Sequence, residues 1–201
     1  YEEAALLRDR INDLKYLSER IDFSVDDTEE TYVERRAKII EENFKNLRLE
    51  LNLSKLSRIE CYDISNTQGK EAYGSMVVAN NGAIDHSEYR IFKIKTLDTP
   101  NDPLMLKEVL YRRFDCANQK KYKTNPEIVL IDGGKSQLSQ LHDVIPEGIL
   151  LLGISKGKRL KRKGARQIDE FWSSLKGDIQ KVEIVNKSIL IDLRDEAHRF
   201  A

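Results

Sequence analysis

Two aspartates stand at or near the ends of segments whose apolar residues are typical of β-strands. Asp63 lies in residues 59–65, and Asp132 follows the apolar run 128–131 and precedes two glycines. A charged carboxylate in such a segment is costly to bury unless a sheet edge or a cation relieves it. If the two strands are neighbours, the carboxylates face each other and form an oxygen-rich site for Mg²⁺ or Mn²⁺. Such a site suits the attack of water on a phosphodiester.

Each candidate also has an ordinary structural interpretation. Asp63 could cap the turn after its strand, and Asp132 could be the N-cap of the helix that follows. Asp102 falls in the first turn of a predicted helix, where an acid complements the helix dipole. His198 lies on a polar helical face, as a surface residue or as a metal ligand or proton-transfer group. The pair of aspartates is therefore more informative than any residue alone.

A basic segment follows the last apolar strand. Residues 156–166 contain seven Lys or Arg and no acid, although the whole chain balances 34 Lys and Arg against 34 Asp and Glu. This balance excludes a generally basic polyelectrolyte, so any phosphate contact must come from a local patch. A solvated loop is the alternative interpretation. The predicted phosphate contacts are Lys135, Lys156, Lys158, Arg159, Lys161, Arg162 and Lys163.

The elements that must position these residues follow from the hydrophobic pattern. Residues 1–56 contain no Gly or Pro and carry two one-sided apolar stripes, which predicts a helical segment. From residue 57 to 201 the pattern predicts three strands of antiparallel type, then helix, strand, helix, strand and a final helix capped by Ser188. The strands are predicted at 58–65, 73–79, 88–95, 127–131, 148–154 and, more weakly, 182–185. This order favours an α/β domain built on a mixed sheet, with an N-terminal helical appendage.

Composition limits where the chain is expected to work. No apolar run approaches the ~20 residues that a membrane span needs. The first residues have neither the basic nor the apolar region of a secretion signal. Cys61 and Cys116 fit neither a disulfide framework nor a zinc site, which favours a reducing compartment. We therefore expect a cytoplasmic protein with no membrane contact.

Three motifs, in this order, closely resemble the C-terminal half of the UvrC family, the nuclease component of the ABC excinuclease. They are IECYDISNTQG at 59–69, IDGGKSQL at 131–138 and RDEAH at 194–198. The resemblance covers residues 57–201. Residues 1–11 are in addition similar to the second half of a UVR motif, the helical segment that docks on UvrB in that family.

The resemblance implies a ribonuclease-H-like fold that nicks damaged double-stranded DNA 5′ to the lesion during nucleotide excision repair. It places a catalytic, metal-binding set on Asp63, Asp132 and His198, with Mg²⁺ or Mn²⁺ as the metal. Asp102 falls on a further acidic position, although the family usually has Gly-Asp-Asp where this chain has Pro100-Asn101-Asp102.

The same resemblance implies UvrB as a protein partner, with UvrA acting upstream. The expected contact face is Tyr1, Ala4, Leu7 and Ile11. This face looks like half of a helical hairpin, so we expect it to bind UvrB weakly or not at all in this fragment.

Two other functions are alternatives at the level of sequence. The first is a non-catalytic module that binds UvrB or DNA and keeps the ribonuclease-H-like sheet as a scaffold. The second is a transposase- or resolvase-type relative with the same sheet and carboxylates. Intact Asp63, Asp132 and His198 count against the first, and the Asp-Gly-Gly-Lys and Asp-Glu-Ala-His motifs count against the second.

Overall fold

The computed structural model describes residues 29–67, 71–95, 101–115, 118, 121–122, 124–156, 169–175 and 177–201. In chain order the elements are helix α1 (Glu29–Glu50), strands β1 (Arg58–Thr67), β2 (Glu71–Asn80), β3 (Ala83–Ile84) and β4 (Arg90–Lys93), helix α2 (Asp102–Phe114), strand β5 (Ile128–Asp132), helix α3 (Lys135–Leu141), strands β6 (Leu150–Lys156), β7 (Asp169–Leu175) and β8 (Asp178–Val182), and helix α4 (Ser188–Phe200). The chain divides between Ile39 and Ile40, and the features discussed below lie in the unit from Ile40 onward.

The described strands form one mixed sheet in the order β3-β2-β1-β5-β6-β7-β8, with β4 also paired to β2. The three central strands β1, β5 and β6 are parallel, whereas β2, β7 and β8 pair with their neighbours in antiparallel fashion. Strands β5 and β6 are nearly all apolar because both of their faces are covered, whereas β1 carries the charged residues Arg58, Glu60 and Asp63. The carboxyl ends of the three central strands meet at one edge, which is where open α/β sheets place ligands.

Helices cover both faces of the sheet. One face packs against the C-terminal half of α1 and against α4, through buried Phe44, Leu47, Leu190, Leu193 and Ala197. The other face packs against α2 and α3, through buried Met105, Leu106, Val109, Leu138 and Leu141. These three layers confirm the predicted α/β class with a mixed sheet flanked by helices. Within the described residues, no helix combines the length and the apolar character needed to cross a membrane.

Some predicted boundaries were wrong. The weak strand expected at 182–185 is β8, which ends at Val182, and it is preceded by β7, which the pattern did not indicate. The third predicted strand, 88–95, is shorter because a 3₁₀ turn, His86–Glu88, precedes it. The final helix is capped by Lys187, so Ser188 is its first residue. The first apolar stripe of residues 1–56 lies outside the described residues.

A buried ionic cluster fixes β1 to α2. The Glu60 carboxylate is fully buried and accepts hydrogen bonds from Arg58 Nε at 2.7 Å, Arg113 Nη2 at 2.8 Å and Tyr62 Oη at 2.7 Å. Arg113 Nη2 also donates to the carbonyl oxygen of Thr124 at 2.8 Å. A buried charge is tolerated when it is paired and hydrogen-bonded in this way. The cluster therefore holds β1 from the face opposite to α4.

Candidate active site

Neighbouring parallel strands bring Asp63 and Asp132 together. The register of β1 and β5 pairs Tyr62 with Ile131, so the next position on each strand is an aspartate. The side chain of Asp63 is 17% exposed and that of Asp132 is 35% exposed. The two strands are neighbours, which is the condition under which the sequence predicted that the two aspartates meet.

His198 lies between the two carboxylates. Its Nδ1 is 3.2 Å from Oδ2 of Asp63, and its Nε2 is 3.0 Å from Oδ2 of Asp132. Only the imidazolium form carries an N–H on both ring nitrogens and can donate to both carboxylates at once. The three residues implied by the resemblance therefore form one connected cluster, although 63, 132 and 198 are far apart in the chain.

The negative charge of this cluster is partly desolvated. Burial raises the pKa of Asp63, the nearby His198 opposes this shift, and the negative charge of Asp132 adds to it. Two residues before Asp63, the Cys61 thiol is buried, and burial together with the two aspartates raises its pKa. A thiol with a raised pKa carries almost no thiolate, so Cys61 is packing and not a nucleophile.

An ion pair places the helix that carries His198. Arg194 lies one helical turn before His198, and its Nη1 donates to Oδ1 of Asp169, the first residue of β7, at 2.9 Å. Its Nη2 also contacts Oδ1 of Asp195 at 2.8 Å. On strand β2, Ser75 Oγ donates to the carbonyl oxygen of Ala197 at 3.4 Å. Sequence reasoning did not assign Arg194, although its four-residue spacing to His198 was a usable signal.

Two glycines allow the backbone beside Asp132 to pack closely. The N–H of Gly133 donates to the carbonyl oxygen of Ile154 at 2.7 Å, which extends the pairing of β5 and β6 beyond the aspartate. A Cβ at Gly153 would collide with the carbonyl oxygen of Gly133. Glycine at 153 therefore allows the end of β5 to stay paired with β6. This pairing fixes the backbone at Asp132 and hence the direction of its side chain.

The donor set of the cluster fits a hard divalent cation. Carboxylate oxygens are the ligands that Mg²⁺ and Mn²⁺ prefer. In the part of the chain that the structure describes, no three His, Cys, Asp or Glu side chains already converge on one point. The His198 ring separates the carboxylates, with its two nitrogens directed at different aspartates. Asp63 and Asp132 are therefore the ligands to consider first.

The remaining predicted residues are placed as follows. Asp102 is the exposed first residue of α2, on the sheet face opposite to α4, and its role stays a prediction. Lys135 is exposed at the start of α3, three residues after Asp132, and Lys156 is exposed at the end of β6. The other predicted contacts lie outside the described residues: Lys158, Arg159, Lys161, Arg162 and Lys163, and the UvrB face of Tyr1, Ala4, Leu7 and Ile11.

A central sheet of this order, with acidic residues at neighbouring strand ends, defines the class of ribonuclease-H-like α/β domains. The family described as the UvrC RNAse H endonuclease domain matches residues 48–201. The chain belongs to this family.

Whole proteins of known sequence give the same family. The chain is 37% identical over 183 residues to the UvrABC system protein C of Finegoldia magna, which covers 85% of this chain and 29% of that protein. It is 32% identical over 190 residues to the same protein of Acetivibrio thermocellus, covering 84% and 29%. The chain thus spans under a third of the length of these relatives.

Among solved structures, the chain is similar to endonuclease V of Ciona intestinalis in complex with an inosine-containing DNA, with 19% identity and a TM-score of 0.40. This match covers 70% of the chain and 64% of that structure. The catalytic domain of human endonuclease V matches with 20% identity, a TM-score of 0.37 and coverages of 69% and 63%.

Proposed function

We propose that this chain is a metal-dependent DNA endonuclease domain that makes the 5′ incision beside a lesion in nucleotide excision repair. The observation that carries the proposal is the contact of His198 with two aspartates at the ends of adjacent parallel strands, at 3.2 and 3.0 Å. Membership of the UvrC endonuclease-domain family supports the same activity.

Asp63 and Asp132 would hold the cation. When bound, a divalent metal supplies a water nucleophile at neutral pH and stabilises charge on the phosphate. Both carboxylates point from a rigid sheet, and Asp63 is largely buried, so their positions are fixed before DNA arrives. Fixed ligands of this kind lower the cost of organising the site for reaction.

His198 would hold and move a proton. It is half exposed, so its ring can turn from one aspartate toward DNA without unpacking α4, whose buried side is formed by Leu190, Leu193 and Ala197. Its Nε2 can receive a proton from the attacking water when the ring is neutral, and can give one to the leaving oxygen when the ring is an imidazolium. General acid–base help of this type is typically worth about 10²–10⁴-fold in rate.

Basic residues near the same strand ends would bind the DNA backbone. Lys135 is exposed at the start of α3, three residues beyond the end of β5, and Lys156 is exposed at the end of β6. Contacts of this kind fix the position of the duplex and read no sequence, as an enzyme directed to damage requires. UvrB would recruit the nuclease to the lesion after UvrA has acted, through a complete helical hairpin of which the N-terminal face described above is one half.

A reconstituted incision assay tests the proposal. The chain is incubated with a lesion-bearing duplex, UvrA and UvrB, with and without Mn²⁺, and the products are mapped on a sequencing gel. We expect a metal-dependent nick 5′ to the lesion, lost in Asp132→Asn. The matched control is Asp178→Asn, an exposed aspartate at the start of β8. If the wild-type chain and Asp178→Asn both bind the duplex in a lesion-dependent way and neither cuts it, the result would support the non-catalytic module instead.

A further inference from the structure

A row of side chains extends from Asp63 across the sheet. The register pairs Asp63 with Ser75 on β2, and Ser75 with Ile91 on β4. Directly opposite residues in antiparallel strands point to the same face, so all three lie on the face that α4 covers. The helix reaches only part of this row, because Ser75 is buried against Ala197 while Ile91 is 60% exposed.

The next row lies two residues further along β1. It consists of Ser65, Tyr73 and Lys93, which are paired in the same way and point to the same face. Lys93 is exposed, and Tyr73 is partly exposed. Two residues of a strand span roughly 6.6 Å, so this row begins within one nucleotide of the candidate metal ligand Asp63.

A small cavity joins the two rows. It has a volume of about 200 Å³ and is lined by Ser65, Tyr73, Gly74, Ser75, Ile91 and Ala201. Of the described residues that line it, none is acidic. Its lining residues include one tyrosine, one exposed aliphatic side chain and two serines, and Lys93 is the register partner of the tyrosine on the neighbouring strand.

We propose that this cavity is a subsite for the nucleotide next to the phosphate that is cut. The proposal rests on the function proposed above. The ring of Tyr73 and the side chain of Ile91 offer a stacking and apolar surface for a base or a deoxyribose. Lys93 offers a cation for the next phosphate along the strand. Ser75, the register partner of Asp63, lines one side of the cavity, so a DNA strand that runs from the aspartate toward β4 would pass beside it.

Stacking on an aromatic side chain tolerates every base, because every base has a π-face. A subsite with these side chains would hold the DNA strand without selecting a base sequence. It would act on the position of the scissile phosphate relative to Asp63, whereas the basic segment 156–166 acts on overall affinity.

The experiment is a double-mutant cycle, in which one change is made in the protein and the other in the DNA substrate. The position of the wild-type cut is mapped first, and substrates are then made with an abasic residue on either side of the cut. With the abasic residue on one particular side of the cut, the KM of the wild type should rise about tenfold. On the intact substrate, Tyr73→Ala should raise KM by a similar factor. On that abasic substrate Tyr73→Ala should have no further effect, and Tyr73→Phe should behave as wild type.

Lys93→Ala should lower the salt dependence of KM by about one unit of slope. The control variants are Tyr111→Ala, an exposed tyrosine on the opposite face, and Lys181→Ala on the far strand β8. Independent effects of the abasic residue and Tyr73→Ala on both sides of the cut would overturn the subsite. Equal effects of Tyr73→Ala and Tyr111→Ala would overturn it as well.

A binding measurement separates the subsite from the proposed function. The fluorescence of an oligonucleotide with 2-aminopurine at the same position is titrated with the chain in the absence of metal. We expect quenching that Tyr73→Ala weakens and Tyr111→Ala does not. If Mn²⁺ supports no cleavage while this quenching is present, the endonuclease proposal fails and the subsite stands. If cleavage is present and the quenching is absent, the subsite fails alone.

Discussion

Two acidic residues on one strand should respond to amide substitution in opposite ways. Asp63→Asn should abolish cleavage and leave the free energy of unfolding almost unchanged. Glu60→Gln, three residues earlier on β1, should destabilise the fold, with its effect on cleavage explained by the lost stability. The two side chains point to opposite faces of the sheet, Asp63 toward α4 and Glu60 toward α2.

The small stability effect at Asp63 follows from its partner and its burial. Its ion pair is with His198, whose side chain is 47% exposed, and pairs of this kind contribute at most about 1 kcal/mol. Burial also raises the pKa of Asp63, so the charged form carries a desolvation cost that asparagine does not. We expect a net change within about 1 kcal/mol. The rate should fall by more than about 10⁴-fold, because loss of a metal ligand removes several kcal/mol of charge stabilisation, at tenfold per 1.36 kcal/mol, together with the activation of water by the metal.

The large stability effect at Glu60 follows from complete burial. Its carboxylate accepts charged hydrogen bonds from Arg58 and Arg113 at 2.7 and 2.8 Å. Glutamine removes this counter-charge from Arg113 and leaves Arg58 with the more distant Glu88, at 3.3 Å. Breaking a buried ion pair from one side typically costs about 3–5 kcal/mol. With a urea m-value of about 1–3 kcal/mol per molar, the unfolding midpoint should fall by about 1 M or more.

The assays are urea unfolding followed by circular dichroism and the incision assay at a concentration where each variant is folded. Asp132→Asn serves as a second site variant and should resemble Asp63→Asn. If Asp63→Asn lowers the midpoint as much as Glu60→Gln does, Asp63 is a structural cap and the site reasoning is refuted. Wild-type cleavage by a folded Asp63→Asn protein would refute it equally.

Three further predictions follow from other parts of the molecule. His198→Ala should lower the rate by about 10²–10⁴-fold, less than either aspartate variant, in single-turnover incision. Burial raises the pKa of Glu127, but hydrogen bonds from the N–H groups of Ser57 and Arg58 outweigh it and leave the pKa below its usual value. Glu127→Gln should therefore cost about 1–2 kcal/mol at pH 7, and the difference from wild type should disappear in urea titrations as the pH falls below about 4.5. Replacing three basic residues by alanine should weaken binding to damaged and undamaged duplexes alike and flatten the salt slope by roughly one unit per lost phosphate contact, as measured by fluorescence anisotropy; these residues are Lys161, Arg162 and Lys163.

The sequence predicted that Asp63 and Asp132 meet on one condition, that their two strands are neighbours in the sheet. Apolar runs mark both strands, and parallel strands separated by a helix bring their carboxyl ends to one edge. It could not place His198 between them. The position of the histidine depends on how α4 packs over β1 and β2, and residues in contact there, such as Ser75 and Ala197, are 122 positions apart.

Strand β7 was missed for a physical reason. Two of its buried positions are Ser173 and Ser174, so the strand lacks the apolar alternation by which strands are recognised. Its neighbours in the sheet compensate for this weak preference, which local sequence cannot report. The buried pair of Glu60 and Arg113 was equally hidden, since charged residues in a sequence are ordinarily expected at the surface.

Because His198 is a residue of α4, the contact of its ring with the aspartates, and with it the activity of the domain, depends on the docking of this one helix. The sheet that carries Asp63 and Asp132 has its own packing against α2 and α3 on the other face. A brief local opening of α4 would separate the histidine from both carboxylates while the sheet stays intact. Inactivation on warming would then precede global melting, and amide hydrogens of α4 would exchange faster than those of β1 and β5.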